Sequence, residues 1–158
     1  MDLNINEPVK FNTDDSNTPA SADYQAAAGY RQAVINGVAK AVSGTCALVL
    51  RALISQQVEA EEAFMATALE VYEYGESHDM TGPEIEAEIQ KRLNECQYWK
   101  GGYFIPNLKA ISQDMKLPRV LLNKVLKRLK REFIVHTKSN RGTVWYYVDL
   151  GTLDKYAR

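Results

Sequence analysis

The residues of this chain that are best suited to chemistry are basic and amide side chains between positions 119 and 141. An arginine can donate two hydrogen bonds to guanine, an asparagine can exchange two with adenine, and an aliphatic side chain can contact the methyl group of thymine. Arg119, Val120 and Asn123 fall within one helical turn, where a helix can present all three to base edges. This spacing indicates recognition of bases in a nucleic acid.

The lysines of the same region are better suited to phosphates, which position a protein on a duplex without specifying sequence. Arg141 suits either a phosphate or the minor groove. A solvated helix face is the alternative for each lysine. The full set predicted to contact DNA is Arg119, Val120, Asn123, Lys124, Lys127, Arg128, Lys130, Lys138, Asn140 and Arg141.

Apolar periodicity indicates the elements that must position these side chains. Leu122, Val125, Leu126 and Leu129 share one face, which predicts a helix over 118–132 with Pro118 in its first turn. A shorter apolar-periodic segment precedes it, with Leu108, Ile111 and Met115 on one face and a turn at Lys116-Leu117.

After Phe133 the period changes to two, which predicts a β-hairpin over 134–148. Val135 and Thr137 belong to the first strand, and the second carries Val144, Tyr146 and Val148. The intervening segment, Ser139-Asn140-Arg141-Gly142, is a polar turn in which Asn and Gly can adopt positive φ.

A short helix, a tight turn, a basic helix and a hairpin thus follow one another. In this order they resemble the winged helix-turn-helix DNA-binding domains of bacterial, plasmid and phage regulators. The resemblance rests on Ala110-Ile111, on Leu117-Pro118-Arg119, and on the sequence LKRLKREFIV of residues 126–135. Phe133 stands where such domains commonly have glycine, so the chain must turn there without easy access to positive φ.

The segment before this region completes a domain of residues 81–149. Thr81-Gly82-Pro83-Glu84 predicts a capping box, and it opens a helix that carries Ile85, Ile89, Leu93 and Cys96 on one face. We expect Gly101-Gly102 to end that helix and Tyr103-Phe104-Ile105 to form a short strand beside the wing. Residues 150–158 are predicted to be a short tail.

The N-terminal half is predicted to be a flexible polar arm over 1–20 and a helical, dimerising region over 21–76. The alternative for the arm is a strap held by Val9 and Phe11. Small residues recur on one face of the first helix, which suits either intramolecular packing or a dimer contact: they are Ala26, Ala33, Gly37, Ala41 and Gly44.

A break near Ser43-Gly44 and a second helix over 45–74 follow. That helix would be about 45 Å long, more than a small domain needs for its own core, so part of it should pack on a second copy. Its apolar face is predicted to run through Val58, Met65, Leu69 and Tyr72 as core or interface. Residues 74–79 are predicted to be a loop.

Composition narrows the classes of function. Two cysteines without a CxxC pair and two histidines indicate neither a zinc site nor a disulfide framework, and we expect no cofactor or metal. The apolar run 41–50 is too short to cross a bilayer. The sequence therefore predicts a soluble cytoplasmic protein.

The charge is strongly divided although its total is only −1. Residues 1–99 hold six basic and 16 acidic side chains, whereas residues 100–141 hold 11 basic and two acidic ones. Basic charge concentrated on one helix and one hairpin suits a phosphate backbone.

The sequence as a whole predicts a mainly α protein with a small β-hairpin, in which an N-terminal helical region precedes a winged helix-turn-helix domain. The predicted function is sequence-specific binding of double-stranded DNA by a homodimeric transcriptional regulator. The alternative is a protein-interaction adaptor or inhibitor that acts through the acidic helices Glu59–Glu76 and Glu84–Glu95. No catalytic residues are predicted, because no Ser/His, Cys/His or His/carboxylate spacing stands out.

Overall fold

The computed structural model describes residues 21–158, with side chains from Ala28 onward, and it is mainly helical with a small antiparallel sheet toward the C-terminus. The predicted fold class is therefore confirmed. The predicted arm over 1–20 lies outside the described residues. The elements are α1 (Ser21–Ala41), α2 (Gly44–Ser77), α3 (Gly82–Glu95), β1 (Trp99–Lys100), β2 (Tyr103–Phe104), α4 (Leu108–Asp114), α5 (Arg119–Arg131), β3 (His136–Asn140), β4 (Thr143–Tyr147), a 3-10 turn (Leu150–Leu153) and α6 (Asp154–Ala157).

The predicted break between the first two helices is confirmed at Val42-Ser43. Ser43 has an extended backbone, and its hydroxyl accepts a hydrogen bond of 3.0 Å from the amide of Cys46. A serine in this position satisfies an amide that the first turn of α2 cannot pair internally, so it defines where α2 begins.

Helix α2 is longer than predicted, and the prediction of a loop over 74–79 is wrong for its first four residues. The helix continues through Gly75 to Ser77. Gly75 is buried, and a Cβ atom built there would lie 2.5 Å from Cγ1 of Ile85 in α3. This glycine permits close packing of two helices, whereas the sequence predicted that it lies in a loop.

The predicted capping box at Thr81 and Glu84 is confirmed, but the predicted end of the helix it opens is wrong. Helix α3 ends at Glu95, and Gly101-Gly102 forms the turn between β1 and β2. Both glycines have positive φ (58° and 88°), as a two-residue hairpin turn of the favoured twist requires. Strand β1 was not predicted from the sequence.

The sheet has the strand order β1-β2-β4-β3 and includes the predicted wing. In the wing, Asn140 pairs with Thr143, so the turn consists of Arg141 and Gly142 alone. Their φ angles are 51° and 81°. Phe104 of β2 pairs with Tyr146 of β4, which confirms that the short strand lies beside the wing.

A large hydrophobic cluster extends from Val34 in α1 to Tyr156 in α6. It includes Leu50 and Leu53 of α2 and Leu129 of α5, all fully buried. The predicted division of the chain near residue 80 stays a prediction, and this cluster draws on both sides of it.

Residues 150–157, predicted to be part of a tail, form the 3-10 turn and α6, and they pack on α1. The hydroxyl of Tyr30 donates a hydrogen bond of 2.7 Å to the carbonyl oxygen of Leu150. At Gly37 the backbones approach so closely that a Cβ atom would lie 1.6 Å from the carbonyl oxygen of Tyr156. At this residue the small-residue stripe of α1 serves intramolecular packing.

Two consecutive glutamines of α2 attach that helix to the C-terminal half. Gln57 is buried; its Nε2 donates to the carbonyl oxygen of Val148 (3.0 Å) and its Oε1 accepts from the amide of Val148 (2.8 Å). Gln56 makes the same pair of bonds with the backbone of Asn107, at 3.2 and 2.8 Å. Each side-chain amide thus pairs with both backbone groups of one residue, as a neighbouring β-strand would.

We expect Gly37→Ala to destabilise the protein by about 2–3 kcal/mol, because overpacking here presses on backbone and not on a side chain that can rotate. Gly29→Ala in the same helix is the matched control, since a Cβ atom there meets nothing within 4 Å. It should stabilise the helix by up to about 1 kcal/mol. Urea unfolding of the full chain measures both, and equal responses would show that α6 does not pack against Gly37.

We expect Gln57→Leu to cost about 2–4 kcal/mol of the free energy of unfolding, because it leaves two buried backbone groups of Val148 without partners. Gln56→Leu should cost less than about 1 kcal/mol, since Asn107 is exposed and water can replace the side chain. Denaturant unfolding, together with hydrogen exchange at the Val148 amide, distinguishes the two. Similar losses for both variants would contradict the stabilising role of the buried Gln57–Val148 hydrogen bonds.

Candidate nucleic-acid interface

The turn between α4 and α5 is held by hydrogen bonds between Ser112 and Leu117. The Ser112 carbonyl accepts from the Leu117 amide at 2.9 Å, and its hydroxyl donates to the Leu117 carbonyl at 2.6 Å. Lys116 lies between them with φ of 52°, and its amide bonds to the carbonyl of Gln113. These bonds form a Schellman motif, in which a left-handed residue ends the helix. They fix the direction in which α5 leaves α4.

Helix α5 has one buried and one exposed side. Leu122, Leu126 and Leu129 are buried and Val125 is half-buried, as the apolar periodicity predicts. A helix rotates by about 100° per residue, so the exposed basic residues of α5 fall within an arc of about 140° on the side away from the buried leucines. The basic side chains on that exposed arc, here called the basic face, are Arg119, Lys124, Lys127, Lys130 and Arg131.

The structure brings the three predicted base-reading residues together at the start of α5. Nε of Arg119 donates a long hydrogen bond of 3.4 Å to Oδ1 of Asn123, one turn along, and Val120 is 67% exposed. Burial raises the pKa of Tyr146 in β4, and the positive charge of Arg119 partly opposes that rise. Arg119 therefore lies within electrostatic reach of the sheet.

The first turn of α5 is also open to an anion. Pro118 precedes the helix and contributes no side-chain hydrogen bond to its amides, and no acidic residue lies in the first turn. Unpaired amides at the start of a helix favour negative charge.

Arg128 lies apart from the other predicted DNA contacts of α5. Its guanidinium donates a hydrogen bond of 3.3 Å to the carbonyl oxygen of Val42, just after the last turn of α1. A cation is favourable beside the C-terminal carbonyls of a helix. In this structure Arg128 thus joins α5 to α1.

The wing places its predicted residues at different depths. Arg141 is exposed at the tip, whereas Lys138 and Asn140 are half-buried along β3. Beside the tip, β1 and the wing line an open polar groove of about 560 Å³, whose lining includes Lys100 and Asn140. Nζ of Lys100 lies 5.9 Å from the ring centre of Trp145.

Two basic side chains of this surface, Lys100 and Arg131, were not among the predicted DNA contacts. Both belong to the basic segment 100–141, so the charge division was the signal that could have found them. Lys100 was overlooked because β1 was not predicted. Arg131 belongs to the basic face, where the predicted set stopped at Lys130.

The basic face is not neutralised by ion pairs within the described residues. In that part of the chain, salt bridges join Arg92 to Glu88 and Arg158 to Asp154, and neither pair includes α5. The positive charge of the basic face is therefore exposed to solvent.

Comparisons of the chain with protein-family models, curated proteins and solved structures gave no match. The interpretation of this surface therefore depends on its geometry and charge. Among residues 21–158, no group of three His, Cys, Asp or Glu side chains is arranged to hold a metal ion. Over the same range no helix has the length and apolar character needed to cross a membrane.

A second surface lies on the C-terminal half of α2. Met65, Leu69 and Tyr72 are 47%, 57% and 44% exposed at helical spacing, and we call them the α2 stripe. They were predicted to be core or interface; they are not core, because the buried line of this half runs through Gln57, Phe64, Ala68, Val71 and Gly75, and interface stays a prediction. A buried glutamine and a packing glycine do not count as apolar in a sequence pattern, so the predicted face was rotated.

Proposed function

We propose that this protein binds double-stranded DNA sequence-specifically as a cytoplasmic transcriptional regulator rather than an enzyme, with α5 in the major groove and the wing beside it. The observation that carries this proposal is the basic face. Five exposed cations lie on one side of a helix, and none is paired within the described residues.

The start of α5 is the part best suited to reading bases, because recognition helices present their first turns to the groove floor. Arg119 would donate two bonds to guanine and Asn123 would pair with adenine, while Val120 would contact a thymine methyl. The Arg119–Asn123 bond is long, so exchanging it for contacts with bases costs little.

The rest of the surface suits phosphates. Lys124, Lys127, Lys130 and Arg131 continue the basic face, and the open amides at the start of α5 can bind a phosphate oxygen. Arg141 at the wing tip and Lys100 beside it would extend this contact to a neighbouring groove. The half-buried Lys138 and Asn140 lie on β3 of the wing.

We further propose that the regulator is a homodimer whose contact includes the α2 stripe. An exposed row of large apolar side chains is suited to burial against a partner. Glu62, Glu73 and Glu76 lie near the stripe on the same helix, so two copies would bring like charges together at its rim.

The same surface favours one alternative, an adaptor or inhibitor that binds a basic protein through its acidic helices. Both helices carry exposed glutamates, which include Glu70 and Glu73 in α2 and Glu84 and Glu86 in α3. The two functions predict opposite responses to salt at this surface.

We expect Arg119→Ala to weaken binding to a selected preferred duplex by about 1–3 kcal/mol and to relax preference at one base pair. Lys127→Ala should weaken preferred and scrambled duplexes alike and reduce the salt slope by about one unit. Fluorescence anisotropy over a range of salt concentrations measures both. Equal losses on both duplexes for Arg119→Ala would exclude base reading by this residue, and a wild type that binds neither duplex at low salt would contradict DNA binding.

We expect Leu69→Ser to raise the dimer dissociation constant roughly tenfold or more, because each dimer loses two buried leucines. Leu48→Ser, at a similarly exposed position of α2, is the control and should leave it unchanged. Light scattering should also show the wild-type dimer tightening as salt screens the rim carboxylates. A chain that stays monomeric at tens of micromolar, and binds a basic peptide less tightly as salt rises, would favour the adaptor instead.

A further inference from the structure

A cleft at the base of the wing is assembled from segments that are far apart in the sequence. Its volume is about 460 Å³, within the range typical of small-molecule sites. The end of α5, the outer ends of β3 and β4, and the 3-10 turn with the start of α6 all contribute to its wall. We call it the wing-base cleft. It lies outside the surface proposed to contact DNA.

Aromatic rings make up much of its lining. The ring of Tyr147 lies 5.5 Å from that of Tyr103 and 6.3 Å from that of His136, with tilted planes. Phe133 stands at the rim. Faces of aromatic rings carry partial negative charge and attract cations.

Phe133 combines two unfavourable features. It adopts a left-handed backbone (φ 58°), which glycine adopts more easily, and its side chain is 74% exposed. Its amide bonds to the carbonyl of Lys130 and the next amide to that of Leu129, so it ends α5 by the same motif as Lys116 ends α4. Little of this side chain packs on the described residues, so its exposure and its strained backbone together point to a role in binding.

The charged groups of the cleft are mainly acidic. Glu132 and Asp149 lie in its wall, and Lys155 is the basic residue beside them. Nζ of Lys155 lies 4.9 Å from the ring centre of Tyr156, so its charge already has an aromatic partner. Burial, followed by the negative charge of Asp149, raises the pKa of Tyr147, which agrees with a negative potential here.

We propose that the wing-base cleft binds a small organic cation, an ammonium group carried on an apolar body. The rings of Phe133 and Tyr147 would contact the ammonium and the apolar body, and Asp149 would supply the opposite charge. This inference does not depend on DNA binding, and its test uses the protein without DNA.

The test is titration of the full-length, isotope-labelled chain with benzyltrimethylammonium, followed by NMR at the amides of Phe133, His136, Tyr147 and Thr152. We expect saturable shifts confined to these residues and their neighbours, and none with phenylacetate or benzyl alcohol. Phe133→Gly should weaken binding about fivefold or more, as loss of a cation–π contact implies. Asp149→Asn should weaken it by about twofold to fivefold, while its amide oxygen can still accept the 3.1 Å bond from the amide of Gly151.

Both variants should fold. Phe133→Gly relieves backbone strain, and Asp149→Asn keeps the oxygen that accepts from the amide of Gly151. Lys116→Gly is the matched control, because it makes the same backbone change at the end of α4 and does not touch the cleft. It should leave binding within about twofold. Equal binding of phenylacetate, absence of saturable shifts, or full binding by Phe133→Gly would each overturn the proposal. So would a loss of self-association in Phe133→Gly with unchanged binding of the probe, because Phe133 would then be a contact between copies.

Discussion

The structure depends on the pairing of a side-chain amide with a backbone. Gln57 provides one donor and one acceptor to Val148, just after the last wing strand, and all of these groups are buried. Removing either the donor or the acceptor would leave a buried polar group without a partner, which costs about 1–3 kcal/mol. Gln56 repeats the arrangement at Asn107, immediately before α4. Two neighbouring residues of one long helix thereby set where α4 begins and where β4 ends.

Left-handed backbone conformations recur where the chain changes direction between elements. Helices α2, α4 and α5 are each followed by a non-glycine residue with positive φ, namely Asp79, Lys116 and Phe133, and the wing turns at a fourth, Arg141. Left-handed conformations of such residues cost on the order of 1 kcal/mol each. Lys116 and Arg141 place a cation at two of these turns, one on either side of α5 in the sequence, and Arg141 belongs to the surface proposed to bind DNA.

The sequence was informative where periodicity and local chemistry act alone. The leucines of α5, the capping box at Thr81 and the hairpin around Arg141 follow from residue order, and their prediction is confirmed. Prediction failed where one residue type has two uses. Gly75 was placed in a predicted loop although it is a packing contact within α2, and Gly101-Gly102 was interpreted as a helix end although it joins two strands. Gln57 is polar and buried, so it rotated the predicted face of α2 away from Phe64.

The α5 surface and the wing-base cleft also differ in how far the sequence predicts them. The residues of α5 could be predicted because they lie on one helix whose buried side is unmistakable. Arg128 has the same chemistry but points to Val42, a contact with a residue 86 positions earlier that no local pattern contains. The wing-base cleft joins Tyr103 to Lys155, and its existence depends on how β4, α5 and the 3-10 turn meet.

The packing of α1 against α6 has a consequence for synthesis on the ribosome. Tyr30 and its partner Leu150 are separated by 120 positions. At ordinary elongation rates α1 therefore emerges on the order of ten seconds before its partner. During that interval α1 can pack on α2, but α6, which packs on Gly37 in the described part of the chain, has not been made. Vectorial folding of this protein thus cannot finish at its N-terminal end, and a nascent chain released before residue 150 would present to proteases an open helix surface that the complete chain conceals.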